Sequence, residues 1–167
     1  MERALGVDPG RARIGLALSD EASGSLALPF ATIPSDANLE VAAERVRAAV
    51  AHVELGKVVV GLPLRLDGSE GEAARRARKI GRAIGRALGR SVIFWDERLT
   101  TALAERGLKD VGLDGRERRK VVDQSAAALI LQSWLDARAA RAERREQRAR
   151  DERVEQRARD EREEPER

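Results

Sequence analysis

The apolar period of this chain changes from strand-like to helical and back, which limits the folds open to it. Residues 3–8 (Arg-Ala-Leu-Gly-Val-Asp) and 13–19, with Ile14, Leu16 and Leu18 alternating, read as two strands joined by a tight Pro9-Gly10 turn. A third apolar run, Leu26 to Ile33, contains Pro29. Proline cannot donate to a sheet ladder, so this run belongs on an edge or at a bulge. An antiparallel meander follows from these three segments. Beyond Ser35 or Asp36, either of which can cap a helix, Leu39, Ala42, Ala43, Val46, Ala49, Val50 and Val53 repeat with the helical period and stop before Gly56. Lys57 to Leu62 is then an unbroken apolar run suited to a strand buried on both faces.

A second helix is expected over about 69–88, with Ala73, Ala77, Ile80, Ile84 and Leu88 on one side. Gly81 and Gly85 on that helix cost propensity, which predicts close packing on a sheet, and Gly89 suits a C-cap. Ser91 to Trp95 is the next strand. A short helix from about Thr101 to Lys109 precedes a long one starting near Arg118, whose stripe is Asp123, Ala126, Ala127, Ile130 and Trp134.

Carboxylates stand at the ends of these apolar patterns. Asp8 closes the first strand, Asp96-Glu97 closes the last, and Asp123 heads the stripe of the long helix. Unpaired carboxylates beside positions that prefer burial are costly, and a divalent cation would balance them. Two cations about 4 Å apart are one solution to phosphodiester hydrolysis. Composition narrows the metal. The chain has no Cys and a single His, His52, so thiolate and multi-histidine sites are excluded and oxygen ligands remain, pointing to one or two Mg²⁺ or Mn²⁺ ions. Strand alternation puts Asp96 and Glu97 on opposite faces, so only one enters the site; Glu97 is favoured, with Asp96 behind it or paired to Arg98.

Other charged features say less. The pI near 9.9 is compatible with nucleic acid, yet the net charge is only +3, which makes it supporting information and no more. Residues 137–167 hold 11 Arg and 10 Asp/Glu, so they cannot build a core. This region repeats Glu-Gln-Arg-Ala-Arg-Asp-Glu-Arg at 146–153 and 155–162 and reads as an exposed helix or a disordered tail outside a catalytic domain of residues 1–136. No apolar run approaches about 18 residues and no leader pattern opens the chain, so a cytoplasmic protein that does not engage membranes is expected.

A three-stranded meander followed by alternating helices and strands, with acids at strand ends, resembles the ribonuclease H-like fold. This is an α/β fold with a mixed five-stranded sheet flanked by helices. Val7-Asp8-Pro9-Gly10 with Ile14-Gly15-Leu16-Ala17, Val60-Gly61-Leu62-Pro63-Leu64 with Asp67-Gly68-Ser69, Asp96-Glu97-Arg98-Leu99-Thr100-Thr101, and Asp123 with Ala126-Ala127 together resemble the YqgF (RuvX) family. That family is related to the RuvC Holliday junction resolvase. The resemblance implies a metal-dependent nuclease that matures the 5′ end of 16S ribosomal RNA. It makes Asp8 the central metal-bridging carboxylate, Glu97 the second ligand and Asp123 the ligand from the last helix. RuvC-type enzymes carry a further acid after the fourth strand, where this chain has Gly61-Leu62-Pro63.

Each residue also has a structural reading. Asp8 can start a turn, Asp123 can cap its helix, and Thr100 and Thr101 can be N-cap residues whose neighbouring amides would still suit a phosphate oxygen. With Arg98 they are the candidate substrate contacts. Asp67-Gly68-Ser69 reads as a turn plus cap, Arg75, Arg76, Arg78 and Lys79 as a solvated helix face, and His52 as structural. The expected activity is hydrolysis by a metal-activated water without a protein nucleophile, on RNA in preference to DNA, by a monomer or weak homodimer. Two other readings stay open: a Holliday junction resolvase-like DNA endonuclease, which requires a symmetric dimer, and a non-catalytic RNA-binding or transcription-regulatory protein.

Overall fold

A computed structural model describes residues 2–98 and 125–163 of the chain. Its elements are β1 (Arg3–Pro9), β2 (Arg13–Ser19), β3 (Ala27–Pro34), α1 (Leu39–Ala49), β4 (Leu55–Leu62), α2 (Glu72–Leu88), β5 (Val92–Asp96) and α3 (Ala126–Glu163). The five strands form one sheet in the order β3-β2-β1-β4-β5. β1, β2 and β3 pair antiparallel, and β4 runs parallel to both β1 and β5. This is the mixed sheet of the expected ribonuclease H-like fold.

Strand alternation assigns the two faces. Leu5 and Val7 of β1, Ile14, Leu16 and Leu18 of β2, and Val58 and Val60 of β4 are buried in one cluster with Ala42, Ala43 and Val46 of α1 and Ile80, Ala83 and Ile84 of α2. That face holds the main core. Gly81 and Gly85 bring α2 close to the sheet, as expected: a Cβ at Gly81 would lie 2.7 Å from Phe94 Cε1, and one at Gly85 2.7 Å from Val92 Cγ2. The helix ends at Gly89, whose φ of 61° is the left-handed conformation that a C-cap glycine tolerates without strain.

The start of α3 covers the other face. Ala127, Ala128, Ile130, Leu131, Ser133, Trp134 and Leu135 are all buried. Two side-chain bonds fix its position. Trp95 Nε1 of β5 donates to Ser133 Oγ at 2.9 Å, and Gln132 accepts from Ala27 N at 2.8 Å while donating to Ser25 O at 3.0 Å. Gly6 permits the approach, because a Cβ there would stand 2.7 Å from Leu131 Cβ and 2.8 Å from the Ala127 carbonyl oxygen.

Several local expectations are corrected. Helix α1 is capped by Asn38, whose side chain accepts from Glu40 N at 3.0 Å and Val41 N at 3.4 Å; Asp36 instead accepts from Asn38 N, and Ser35 Oγ is engaged by Arg76. The N-cap of α2 is Gly71, not Ser69, while Asp67 accepts from Ser69 N within the preceding turn. Ala74 is buried on α2 and Ala73 is exposed; on α3, Ala126 is exposed. Pro29 behaves as its chemistry demands. Strand β3 lies on the sheet edge, and its pairing with β2 shifts register between Ala31 and Pro29, skipping Phe30.

The chain divides into two compact units, Met1–Leu135 and Asp136–Arg167. The second continues α3 as helix to Glu163, with local bonds such as Gln147 Nε2 to Asp151 Oδ1 at 2.8 Å and Arg153 Nε to Ala149 O at 3.0 Å. The expected helix over 101–109, the connector and the start of the long helix near Arg118 lie outside the described residues.

Gly6→Ala should lower stability by about 1–3 kcal/mol, because the new methyl meets the backbone of α3 and no rotamer relieves it. Gly81→Ala should cost less, since it meets a movable Phe94 ring and gains up to about 1 kcal/mol of helix propensity. Urea unfolding of the two variants measures the difference.

Candidate functional site

Parallel pairing of β1, β4 and β5 brings their carboxyl ends to one edge of the sheet. Asp8 lies near the end of β1. Glu97 follows β5 directly, its backbone N–H donating to Leu62 O of β4 at 3.2 Å. Since Leu5 and Val7 face the main core, Asp8 projects to the opposite face, where it is paired in register with Gly15 of β2. On β5, Asp96 shares the face of Phe94, and Glu97 returns to the face of Asp8.

Glycines make the space these two carboxylates occupy. A Cβ at Gly61 would lie 2.5 Å from Glu97 Oε1 and 2.5 Å from Ile130 Cδ1. A Cβ at Gly15 would lie 3.6 Å from Asp8 Cβ and 3.5 Å from Ala127 Cβ. Any side chain at 61 would therefore displace Glu97 or lift α3 from the sheet. Sequence reading identified the acids but not this cradle. A signal was present: a glycine inside an apolar strand run marks a close approach, and Gly15 and Gly61 both interrupt such runs.

The electrostatics follow from the enclosure. Burial raises Asp8 above the usual carboxylate range. Glu97 is raised first by burial, then by the negative charges of Asp8 and Asp96. Among the described residues no cation pairs with either group. Asp96 has the opposite environment. Arg98 grips it, with Nε at 3.0 Å from both carboxylate oxygens and Nη2 at 2.6 Å from Oδ2, and these bonds hold Asp96 below its ordinary value. Arg98 Nη1 also donates to Leu66 O at 3.2 Å. The Asp96–Arg98 pair thus ties the loop before α2 to the end of β5, on the side of the strand away from Asp8.

Of the residues expected at the site, the structure brings Asp8 and Glu97 to one face and turns Asp96 to the other with Arg98. Thr100, Thr101 and Asp123 lie outside the described residues. Among the described residues no group of three or more His, Cys, Asp or Glu is placed to hold a metal ion; Asp8 and Glu97 contribute two carboxylates. Two half-buried carboxylates with no cation partner among the described residues, and with space opened by glycine, fit a hard divalent cation such as Mg²⁺ or Mn²⁺. His52 is remote from this chemistry, with its ring 6.1 Å from that of Phe30.

Comparison with known proteins places this site in context. The family model RuvX, described as Holliday junction resolvase, matches residues 2–137. A protein of Anaeromyxobacter sp. (strain Fw109-5) named "Putative pre-16S rRNA nuclease" is 46% identical over 138 residues, spanning 83% of this chain and 99% of the relative. A protein of the same name from Lactococcus lactis subsp. lactis (strain IL1403) is 41% identical over 138 residues, spanning 82% and 96%. Among solved structures, T. thermophilus RuvC in complex with Holliday junction substrate superposes with a TM-score of 0.53 at 14% identity, over 83% of this chain and 96% of that one. The last similarity is one of fold.

The raised carboxylates set a pH dependence. A group that binds its proton more tightly folded than unfolded favours the folded state while protonated, and that stabilisation is lost as pH rises through its folded value. Metal-free wild type should therefore lose stability from the ordinary carboxylate range upward, through the raised values of Asp8 and Glu97. Asp8→Asn should melt higher than wild type at about pH 7, with the gap closing only below about pH 3, where Asp8 is protonated in the folded and unfolded chain alike. Thermal melts in EDTA across this range test it.

Proposed function

The chain belongs to the RuvX family, and we propose that it is a nuclease hydrolysing phosphodiester bonds in the 5′ precursor of 16S ribosomal RNA, acting in the cytoplasm with Mg²⁺ or Mn²⁺. The observation that carries this reading is the pair Asp8 and Glu97, both raised by burial and set on one face across Gly61 at the carboxyl edge of the sheet. Like charges held together without a cation are unfavourable for folding alone, so their persistence fits a ligand that neutralises them.

In this reading Asp8 and Glu97 would hold the metal, joined by Asp123 from the segment of sequence ahead of α3. A cation bound there would supply positive charge at the scissile phosphate and would lower the pKa of a water. The protein's own contribution is positional. Gly15 and Gly61 keep the space above the sheet open, and Ile130 and Ala127 wall it on the side of α3. Arg98 neutralises Asp96, so that Asp96 adds less negative charge beside Glu97. Thr100 and Thr101, just beyond, would meet the phosphate through backbone amides and hydroxyls.

The RuvX description itself favours a second substrate, a DNA junction. Cutting two strands symmetrically requires two copies of the site, whereas a nuclease trimming one RNA strand functions as a monomer or weak homodimer. Sedimentation of the chain alone and with a four-way junction separates these: a stable dimer that cuts the junction in paired positions would displace the RNA reading.

End-labelled RNA spanning the 16S leader junction should be cut by wild type with Mn²⁺ and not in EDTA. Asp8→Asn and Glu97→Gln should each lose cleavage by on the order of 10²–10³-fold or more. RNA bound without cleavage by wild type would instead indicate a binding protein. Gly61→Ala should cost about 10- to 100-fold in turnover, because a shift of Glu97 by an ångström spoils alignment at the phosphate.

A further inference from the structure

Four basic residues on the first half of α2 read in sequence as a solvated face, but their environments differ. Arg78 is occupied, its guanidinium 4.9 Å from the Phe94 ring centroid and its Nε donating to Glu70 at 2.6 Å. Arg75 donates to the Glu70 carbonyl oxygen at 3.1 Å. Arg76 lines a cleft of about 410 Å³ together with Arg11, Ala12, Ser35, Asp36, Ala37 and Glu72. Its Nη2 donates to Ser35 Oγ at 2.8 Å and to the Arg11 carbonyl oxygen at 3.4 Å. Among the described residues no carboxylate pairs with it, and its Nε is buried without any hydrogen-bond partner. The buried Nε lies out of reach of solvent, but the guanidinium as a whole carries a charge that no carboxylate among the described residues offsets, and an anion entering the cleft would offset it.

The other charges of the cleft leave room for that anion. Asp36 is already paired with Arg45 at 3.2 Å. Glu72 is paired with Arg11 at 2.9 Å, but both side chains are largely exposed, so the pair is weak and Arg11 can exchange Glu72 for a stronger acceptor. Arg75 and Lys79 line an adjoining cleft of about 320 Å³ that shares Ala37, Glu72 and Arg76 with the first. Position supplies the rest. Arg11 and Ala12 belong to the turn that joins β1 to β2 just beyond Pro9, so the cleft adjoins the carboxyl end of β1.

We propose that this cleft is a backbone-phosphate subsite: Arg76 and Arg11 hold a phosphodiester of the nucleic acid strand that passes over the carboxyl end of β1 to reach Asp8 and Glu97. The ligand is a phosphate oxygen, recognised without regard to base. The inference rests on the nuclease reading for its strand path, but not for the anion it binds.

The test is fluorescence-anisotropy binding of labelled single-stranded RNA to the full chain in EDTA, over a series of salt concentrations. Arg76→Gln and Arg11→Gln should each weaken binding by on the order of tenfold, alike on unrelated sequences, and flatten the slope of log K against log salt by about 0.7 per lost contact. Arg76→Lys keeps a cation there and should recover most of the slope. Arg90→Gln, beyond the far end of α2, removes an equal charge and should leave the slope alone. Unchanged affinity and slope in both Arg76→Gln and Arg11→Gln would overturn the proposal. So would a titration with inorganic phosphate in which Arg76→Gln alters phosphate binding but not RNA binding, since the cleft would then take a free anion. Arg76-dependent binding with no metal-dependent cutting by wild type would sink the nuclease reading and leave the subsite standing.

Discussion

The mutual enclosure of Asp8 and Glu97 is the constraint around which this fold is arranged. Two carboxylates are half-buried on one face of the sheet; burial raises the cost of ionising both, and the charge of Asp8 adds to that cost at Glu97. The same face must also be covered, because Trp95 and the α3 residues Ile130 and Leu131 are apolar and buried. Both demands meet at glycines. Gly6 lets the α3 backbone down onto β1, while Gly15 and Gly61 leave the volume that the acids need. A larger residue at any of these positions would trade helix packing against carboxylate placement.

Charge is treated differently on the two sides of β5. Asp96 is solvated by a guanidinium and held ionised, and its neighbour Glu97 is pushed toward the neutral form. Strand alternation produces this division from adjacent residues, so a two-residue acidic motif supplies one structural anchor and one reactive carboxylate. The anchor also fixes the loop at Leu66 through Arg98. Around the rim, the turn between β1 and β2 lines a cleft where Arg76 has a charge without a carboxylate partner, and an Nε without an acceptor, among the described residues.

Much of this was legible in the residues because it depends on local rules. Period-two alternation located β1 and β2, Pro29 announced an edge strand with a bulge, and Gly81, Gly85 and Gly89 announced close packing and a cap. Opposite facing of Asp96 and Glu97 followed from the pleat alone. The features that escaped depend on the third dimension. Asn38 caps α1 because Ser35 is drawn to Arg76 across the molecule and Asp36 bonds the backbone just ahead of the helix. Ala74 rather than Ala73 is buried because α2 starts at Glu72, and that start sets which side of its first turn meets the sheet. The glycine cradle and the want of a carboxylate partner for Arg76 among the described residues are products of strand neighbours and loop paths that periodicity does not encode.

The central claim is that Asp8 and Glu97 form a divalent-cation centre, and carboxyl ¹³C NMR of the labelled chain tests it most directly. In metal-free protein both carboxyls should titrate above the remaining carboxylates, and Mg²⁺ should move both downward together, because the cation favours their ionised forms. If the two groups titrate in the ordinary range and Mg²⁺ leaves them where they are, the pair is structural and the hydrolytic centre lies elsewhere.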